Sequence, residues 1–247
     1  MIKSVFKKLI NTVKLEKQLK HILSHLNLYI TKEDYQCKII ALPQHKGLYF
    51  AIPKVANSSL REIWSELLNV DVNYATRNLV FPAVKKSKVD KYKDYYKFCF
   101  VRNPWDRLVS CYSDKVKDKE YDEFKFLFKE VPYSILKPDS IQKKLTFEMF
   151  ANLVVNIPDE YANTHFKSQS FYITDENGKL LVDFIGKFER LGEDFLYICE
   201  KLGISDITLP HKKKSNRKSY QEYYSSHLKD LIKERYIKDL EMFGYEF

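Results

Sequence analysis

The sequence predicts an α/β fold, a parallel sheet flanked by helices, with an N-terminal helical extension ahead of it. Two strand-to-helix units carry this prediction, and the alternation of short apolar runs with helical periodicity through the rest of the chain extends it. The first unit is Leu48-Tyr49-Phe50-Ala51-Ile52-Pro53-Lys54-Val55-Ala56-Asn57-Ser58-Ser59-Leu60-Arg61-Glu62. Its apolar run from Leu48 to Ile52 makes a short buried strand, and Pro53 stops the ladder. Ser59 with Glu62 forms a capping box, predicted to open a helix whose inward stripe is Leu60, Ile63, Trp64, Leu67 and Leu68. The second unit runs from Tyr95 to Tyr112. There Asn103 is a natural N-cap, Pro104 fits the first helical position, and Asp106 completes a capping-box-like pair.

Both units suit anions. A helix N-terminus offers unpaired N–H groups and partial positive charge, so Lys54 and the small residues after it form a seat for a tetrahedral anion. A solvated lysine in an ordinary turn is the plain alternative for that stretch alone. Arg102 stands at the end of the second strand and Ser110 about two turns into its helix, a guanidinium and a hydroxyl able to hold a second phosphate. Two seats at the C-terminal edge of one sheet imply one ligand with two anionic ends.

In chain order, Ile2, Val5, Phe6, Leu9, Ile10 and Val13 share a helical face edged with lysines, and Leu19, Ile22, Leu23 and Leu26 form a second, offset stripe. Residues 1–30 are therefore read as a basic amphipathic helical extension and 31–247 as the main domain. Peripheral membrane contact and packing on the domain are both open for the extension. Gln44 to Gly47 leads into the first strand, and Asn69 to Lys93 is a loop-rich connection. Leu108 to Lys129 has helical character, broken by Pro132 to Pro138. Thr146 caps a helix with Phe147, Phe150, Leu153 and Val154 inward, ended before Pro158. Phe171-Tyr172-Ile173, a turn at Asp175 to Gly178, and Leu180 to Lys187 read as a hairpin-like pair of strands. Helices are predicted at Leu191 to Leu202 and Tyr220 to Met242.

Composition bounds the classes. With 247 residues, 45% apolar and 15% aromatic, the chain can bury a substantial core and is not a disordered protein. Cys37, Cys99, Cys111 and Cys199 lie far apart, without zinc-like spacing, and are predicted to be buried reduced thiols. The net charge of +9 concentrates in residues 1–30 and in Lys212, Lys213, Lys214, Arg217 and Lys218, two surfaces suited to polyanions or simply to solubility. No signal peptide and no apolar run of membrane-spanning length is present in the sequence.

Four ordered segments then resemble the carbohydrate sulfotransferases, the family that includes the chondroitin 4-O-sulfotransferases. Pro53 to Ser59 is similar to that family's P-K-V-A-N/C-[ST] turn, and Arg102 to Tyr112 to its R-x-P-[FW]-x-R-L-V-S-x-Y segment. Asn163-Thr164-His165-Phe166-Lys167-Ser168-Gln169 looks like D-x-H-W-x-P-Q, with Asn163, Phe166 and Ser168 departing from it. Asp183 to Glu189 is similar to F-V-G-K-F-E, and Phe243-Gly244-Tyr245 extends the likeness towards residue 247. The resemblance implies a P-loop-NTPase-like sheet and a co-substrate, 3′-phosphoadenosine 5′-phosphosulfate (PAPS). It implies that Lys54, Val55, Ala56, Asn57, Ser58 and Ser59 hold the 5′-phosphosulfate and that Arg102 and Ser110 hold the 3′-phosphate. Arg217 is the expected further phosphate contact, from a loop at His211 to Ser219. Lys54 is expected to neutralise the leaving oxygen and His165 to act as base, with His45 and then Glu62 as runners-up. The implied acceptor is a carbohydrate, a surface glycan or its precursor in a bacterium; the lack of a signal peptide or membrane-spanning run, unlike the Golgi relatives, favours the cytoplasm, peripheral at the inner membrane face if the extension docks there.

Two rival classes remain open. A P-loop kinase-like nucleotide enzyme would carry G-x-x-x-x-G-K-[ST], but Lys54 is followed by Val55 where a magnesium-binding hydroxyl belongs, and a monoanionic sulfuryl group needs no metal. A non-catalytic polyanion binder would use the basic clusters; the aromatic and basic residues are not interleaved as in a recognition motif, so no nucleic-acid partner is expected.

Overall fold

Strand β2 (Gly47–Ala51) is buried along its whole length, and the sheet is arranged about it. The structure, a computed structural model, describes residues 38–69, 81–137, 141–205, 207, 209 and 217–247. The predicted helical extension, Cys37 and the lysines at 212–214 lie outside the described residues. Ahead of β2 comes a strand the sequence reading missed, β1 (Lys38–Leu42), returned by a tight 3-10 turn at Pro43–His45, with Leu42 opposite Gly47. So short a return can only pair strands antiparallel. The two-residue β3 (Ala83–Val84) adds antiparallel to β1. On the other side β4 (Tyr96–Val101) lies parallel to β2, and β5 (Phe184–Lys187) parallel to β4. The order is β3-β1-β2-β4-β5, so the predicted parallel sheet is corrected to a mixed one. Its three parallel strands are those that aim chain at the two predicted seats.

Helix α1 (Asn57–Leu67) starts earlier than its predicted capping box. Ala56, left-handed with φ 46°, is the N-cap, no side chain caps the helix, and Ser59 lies buried within the first turn. Helix α2 (Pro104–Lys115) begins as predicted, Asn103 Oδ1 accepting from the N–H groups of Trp105 and Asp106 at 3.1 and 3.5 Å. The expected reciprocal bond from Asp106 is absent among the described residues. Glu189 takes the Asn103 N–H instead, at 2.9 Å, because the Asp106 carboxylate is committed to arginines. The helical stretch predicted from Leu108 to Lys129 breaks after Lys115 and resumes as α3 (Tyr121–Phe124) and a 3-10 turn, Lys125–Phe128. Thr146 caps α4 (Phe147–Val155) as predicted, and Phe147, Phe150 and Val154 are buried.

The predicted hairpin does not form. Phe171 to Ile173 belong to a short helix, α5 (Ser170–Ile173), and one isolated bridge, Thr174 to Leu180, precedes β5, which pairs with β4 instead. Gly186 within β5 is required by close approach, since a Cβ there would sit 2.6 Å from the Phe100 ring. Helix α6 (Leu191–Leu202) matches its prediction. The last predicted helix is a 3-10 turn at Tyr220–Tyr223 followed by α7 (Ser226–Arg235) and α8 (Ile237–Phe243), interrupted at Tyr236. Two apolar clusters result. One joins the sheet to α1 and α6 around Tyr49, Trp64, Phe98 and Phe195, and the other joins α2, α4, α7 and α8 around Trp105, Phe150 and Phe166. Cys99, Cys111 and Cys199 are buried free thiols in these clusters, as predicted.

Candidate active site

After β2, the chain turns through Pro53 to Ala56 with Lys54 and Ala56 both in the left-handed region, at φ 71° and 46°. Non-glycine residues hold that conformation at a cost of about 1–3 kcal/mol each, sustained only where the surroundings over-determine it. Here two arginines do so. Arg107 donates through Nε to the Pro53 carbonyl at 3.0 Å, and Arg102 through Nη1 to the Lys54 carbonyl at 3.2 Å. With these carbonyls drawn aside, no described residue accepts from the N–H groups of Val55, Ala56, Asn57 or Ser58, which lie at the start of α1. Val55 is fully buried, so it offers only its backbone, and Ser58 rather than Ser59 presents an exposed hydroxyl. The Tyr49 hydroxyl donates to Asn57 Oδ1 at 3.2 Å and anchors that side chain on the sheet.

One face of α2 ties this loop to the second seat. Asp106, Ser110 and Asp114 follow one another at four-residue spacing, so they stack along a single face over about 12 Å. At one end Lys54 Nζ donates to Asp114 Oδ2 at 2.8 Å, an oxygen that Lys115 also reaches at 3.1 Å. Burial disfavours the Asp114 carboxylate, but these two lysines more than offset it and hold its carboxyl down at about 2. Burial lowers the Lys54 ammonium despite the same bond. At the other end Asp106 Oδ2 accepts from Arg102 Nε and Nη2 at 2.8 and 2.7 Å, while Oδ1 accepts from Arg217. Lys54, Arg102 and Arg217, separate in sequence, therefore meet one strip of helix on which Ser110 stands. His211 to Asn216, the part of the expected His211–Ser219 loop before Arg217, lies outside the described residues.

The residues that hold the second seat were not assigned from sequence. The Gln169 side chain grips the Arg102 backbone from both sides, Oε1 accepting from its N–H at 2.9 Å and Nε2 donating to its carbonyl at 2.8 Å. The Gln169 and Ser170 N–H groups in turn donate to the fully buried carboxylate of Asp239 at 2.7 and 2.8 Å. Phe188 lies beneath the Arg102 guanidinium at 4.0 Å, and Glu189 accepts from the Tyr245 hydroxyl at 2.7 Å as well as from Asn103. Gln169, Phe188 and Glu189 stood in segments already singled out, which was the available signal. Asp239 had none, being one more acidic residue in a charged helix.

His165 occupies the Lys54 end. Its Nδ1 lies 2.7 Å from Asn163 Oδ1, an acceptor, so the ring proton sits on Nδ1 and Nε2 keeps its lone pair. Burial first, then the charges of Lys115, Lys54 and Arg107, push its pKa down to about 3. The Phe126 ring meets the imidazole edge-on at 6.3 Å and also lines an adjoining cavity of about 390 Å³ with Tyr121 and Phe128 among its walls. His45 is excluded as its substitute. It precedes β2, bonded to the Leu202 carbonyl at 3.0 Å, a strand length of roughly 16 Å from the loop that follows β2. Glu62 lies on the exposed side of α1.

An open α/β sheet with basic side chains and a helix N-terminus at the C-terminal edge of its parallel strands belongs to the class of folds that bind ligands at that edge. The sulfotransferase family profile matches residues 38–246, and the chain belongs to that family. It is 29% identical over 229 residues to carbohydrate sulfotransferase 14 of Danio rerio, covering 84% of this chain and 62% of that protein. It is 25% identical over 231 residues to carbohydrate sulfotransferase 11 of Mus musculus, covering 81% and 65%. The chain thus spans less than two thirds of the length of these relatives. No solved structure matches it.

Proposed function

We propose that this protein transfers a sulfuryl group from PAPS to a hydroxyl of a carbohydrate, on a P-loop-like arrangement of β2, its loop and α1. The observation that carries the reading is the strip of α2 with Lys54 at one end and Arg102 and Arg217 at the other, which suits one ligand with two separated anionic groups. The relatives, described as carbohydrate sulfotransferases, support the acceptor class.

The bound donor supplies the sulfuryl group, activated by its phosphate leaving group. The N–H groups of Val55 to Ser58 orient the reacting end, so that transfer to the acceptor oxygen is in line. Lys54 moves from Asp114 to the oxygen where negative charge grows, the kind of positioned stabilisation that dominates such transfers. His165 accepts the acceptor proton at Nε2, while Asn163 keeps the ring in the tautomer that permits it. Burial is the larger cause of the low imidazole pKa and the charges of Lys115, Lys54 and Arg107 add to it; a polyanionic donor offsets this second cause and so raises the ring's basicity in part. The aromatic cavity beside Phe126 is the surface offered to the sugar next to the reacting hydroxyl.

Calorimetric titration with adenosine 3′,5′-bisphosphate, with and without EDTA, tests the donor assignment, and sulfate transfer from labelled PAPS to a panel of glycans tests the reaction. Binding unaffected by EDTA and labelled glycan are expected. Tighter binding of Mg-ATP than of the bisphosphate would overturn the reading in favour of a kinase-like enzyme.

A further inference from the structure

Asp106 is the side chain on which the second seat turns. Its two oxygens are divided between two arginines from distant parts of the chain, Oδ2 taking the Nε and Nη2 of Arg102 and Oδ1 taking Arg217. All three side chains are largely buried, at 10% exposure for Arg102, 12% for Arg217 and 15% for Asp106. Two guanidiniums this close repel each other, and the carboxylate between them lets both stay in place. Arg102 is held in further ways: Phe188 packs against its face at 4.0 Å and its Nη1 reaches the Lys54 carbonyl at 3.2 Å. A guanidinium has five N–H groups. Three are committed by these bonds, and the two that remain lie on its terminal nitrogens. Ser110, one helical turn beyond Asp106, lies half-buried on the same face.

We propose that Asp106 is a positioning residue that sets Arg102 and Arg217 as a two-guanidinium fork for a phosphate monoester on the donor's ribose, and so determines that the protein takes a 3′-phosphorylated nucleotide. The proposal rests on the PAPS reading above. A carboxylate that merely competed with the ligand for the same cations would have the opposite effect when removed, because its loss would then tighten anion binding.

The test is calorimetric titration of wild-type protein, D106N, D106A and D106E with adenosine 3′,5′-bisphosphate and with 5′-AMP, each variant's melting temperature being measured alongside. Wild type is expected to prefer the bisphosphate. D106N and D106A are expected to lose about 10- to 100-fold in affinity for it, the worth of hydrogen bonds to charged groups, while 5′-AMP binding stays within about twofold. D106E is expected to recover part of the preference, which a purely structural loss would not allow. Unchanged or tighter bisphosphate binding by a folded D106N overturns the proposal. If D106N melts too low to titrate, R217K carries the test, since it keeps the charge without the planar fork; bisphosphate affinity unchanged in R217K also overturns it. Wild-type protein that binds the two nucleotides alike removes the donor reading itself, whereas preserved preference in wild type lost equally for both nucleotides in the variants removes only the role of Asp106.

Discussion

The two ends of the α2 strip are built on opposite principles. At the Arg102 end, backbone and side chain are over-determined: Gln169 clamps the main chain, Asp239 fixes the clamp, Phe188 and Asp106 fix the guanidinium. At the Lys54 end the backbone is strained, its N–H groups lack protein acceptors among the described residues, and the ammonium rests on a half-exposed carboxylate. On the proposed reaction, rigidity would suit the end that only binds, and the end where charge would develop keeps unspent donors and a lysine able to change partner, since interactions that strengthen in the transition state are the ones that accelerate it.

That contrast can be broken most severely at its rigid end. Asp239→Ala leaves two buried N–H groups without acceptors and is expected to cost about 2–6 kcal/mol of stability, read by denaturant unfolding, with nucleotide binding lost in consequence. A variant as stable as wild type would mean that the clamp is not what holds Arg102. Lys54→Ala should do the reverse, leaving stability nearly unchanged but removing on the order of 2–4 kcal/mol of transition-state stabilisation, measured as kcat/KM for sulfate transfer.

His165→Ala is expected to lower turnover by about 10²-fold with bisphosphate affinity unaltered, because a base acts on the acceptor. Its pH signature sharpens the comparison. With the pKa lowered to about 3, His165 is already neutral in the free protein at pH 5, so the kcat/KM profile should show no acid limb near the ordinary imidazole value. The unfolded chain binds the proton that the folded one refuses between about pH 3 and 6.5, so this group's contribution makes stability rise with pH through that window. A limb at about pH 6.5 that disappears in His165→Ala would show that neither burial nor the neighbouring cations act on the ring in this way. The smallest effect is at the strained backbone: Ala56→Gly should raise stability by up to about 1 kcal/mol, since glycine takes φ 46° without a Cβ clash. It should also loosen the loop and weaken bisphosphate binding slightly, by calorimetry.

Both strand-to-helix turns were legible because each is local. Pro53, Lys54 and the small residues after them, or Asn103 and Pro104 at a helix start, announce a strand edge and a helix N-terminus within a dozen residues, and backbone donors go where those ends go. The helix start after Lys54 was misplaced because Ser59 and Glu62 satisfy a capping pattern, while the real N-cap, Ala56, owes its left-handed conformation to arginines on another element. The hairpin expected around Asp175 to Gly178 failed for a similar reason: the turn itself is present, with Asp175 Oδ1 accepting from the Asn177 and Lys179 N–H groups, but β5 finds a better partner in the buried β4.

What the sequence by itself determined is therefore the pair of strand-to-helix turns, the caps at Asn103 and Thr146, and the buried stripes, all of which depend on neighbours within about two helical turns. What only the tertiary structure decided is how those pieces are set against one another. Strand polarity across the mixed sheet depends on how long each connection is and where it packs, and β1 had to be placed before it could be counted. Arg102 meets Asp106 within about one turn of chain, but Gln169, Glu189 and Arg217 reach this seat from partners 67, 86 and 111 residues away and Asp239 reaches it through Gln169, and a charged residue's letter carries no record of which opposite charge or backbone group it will be buried against.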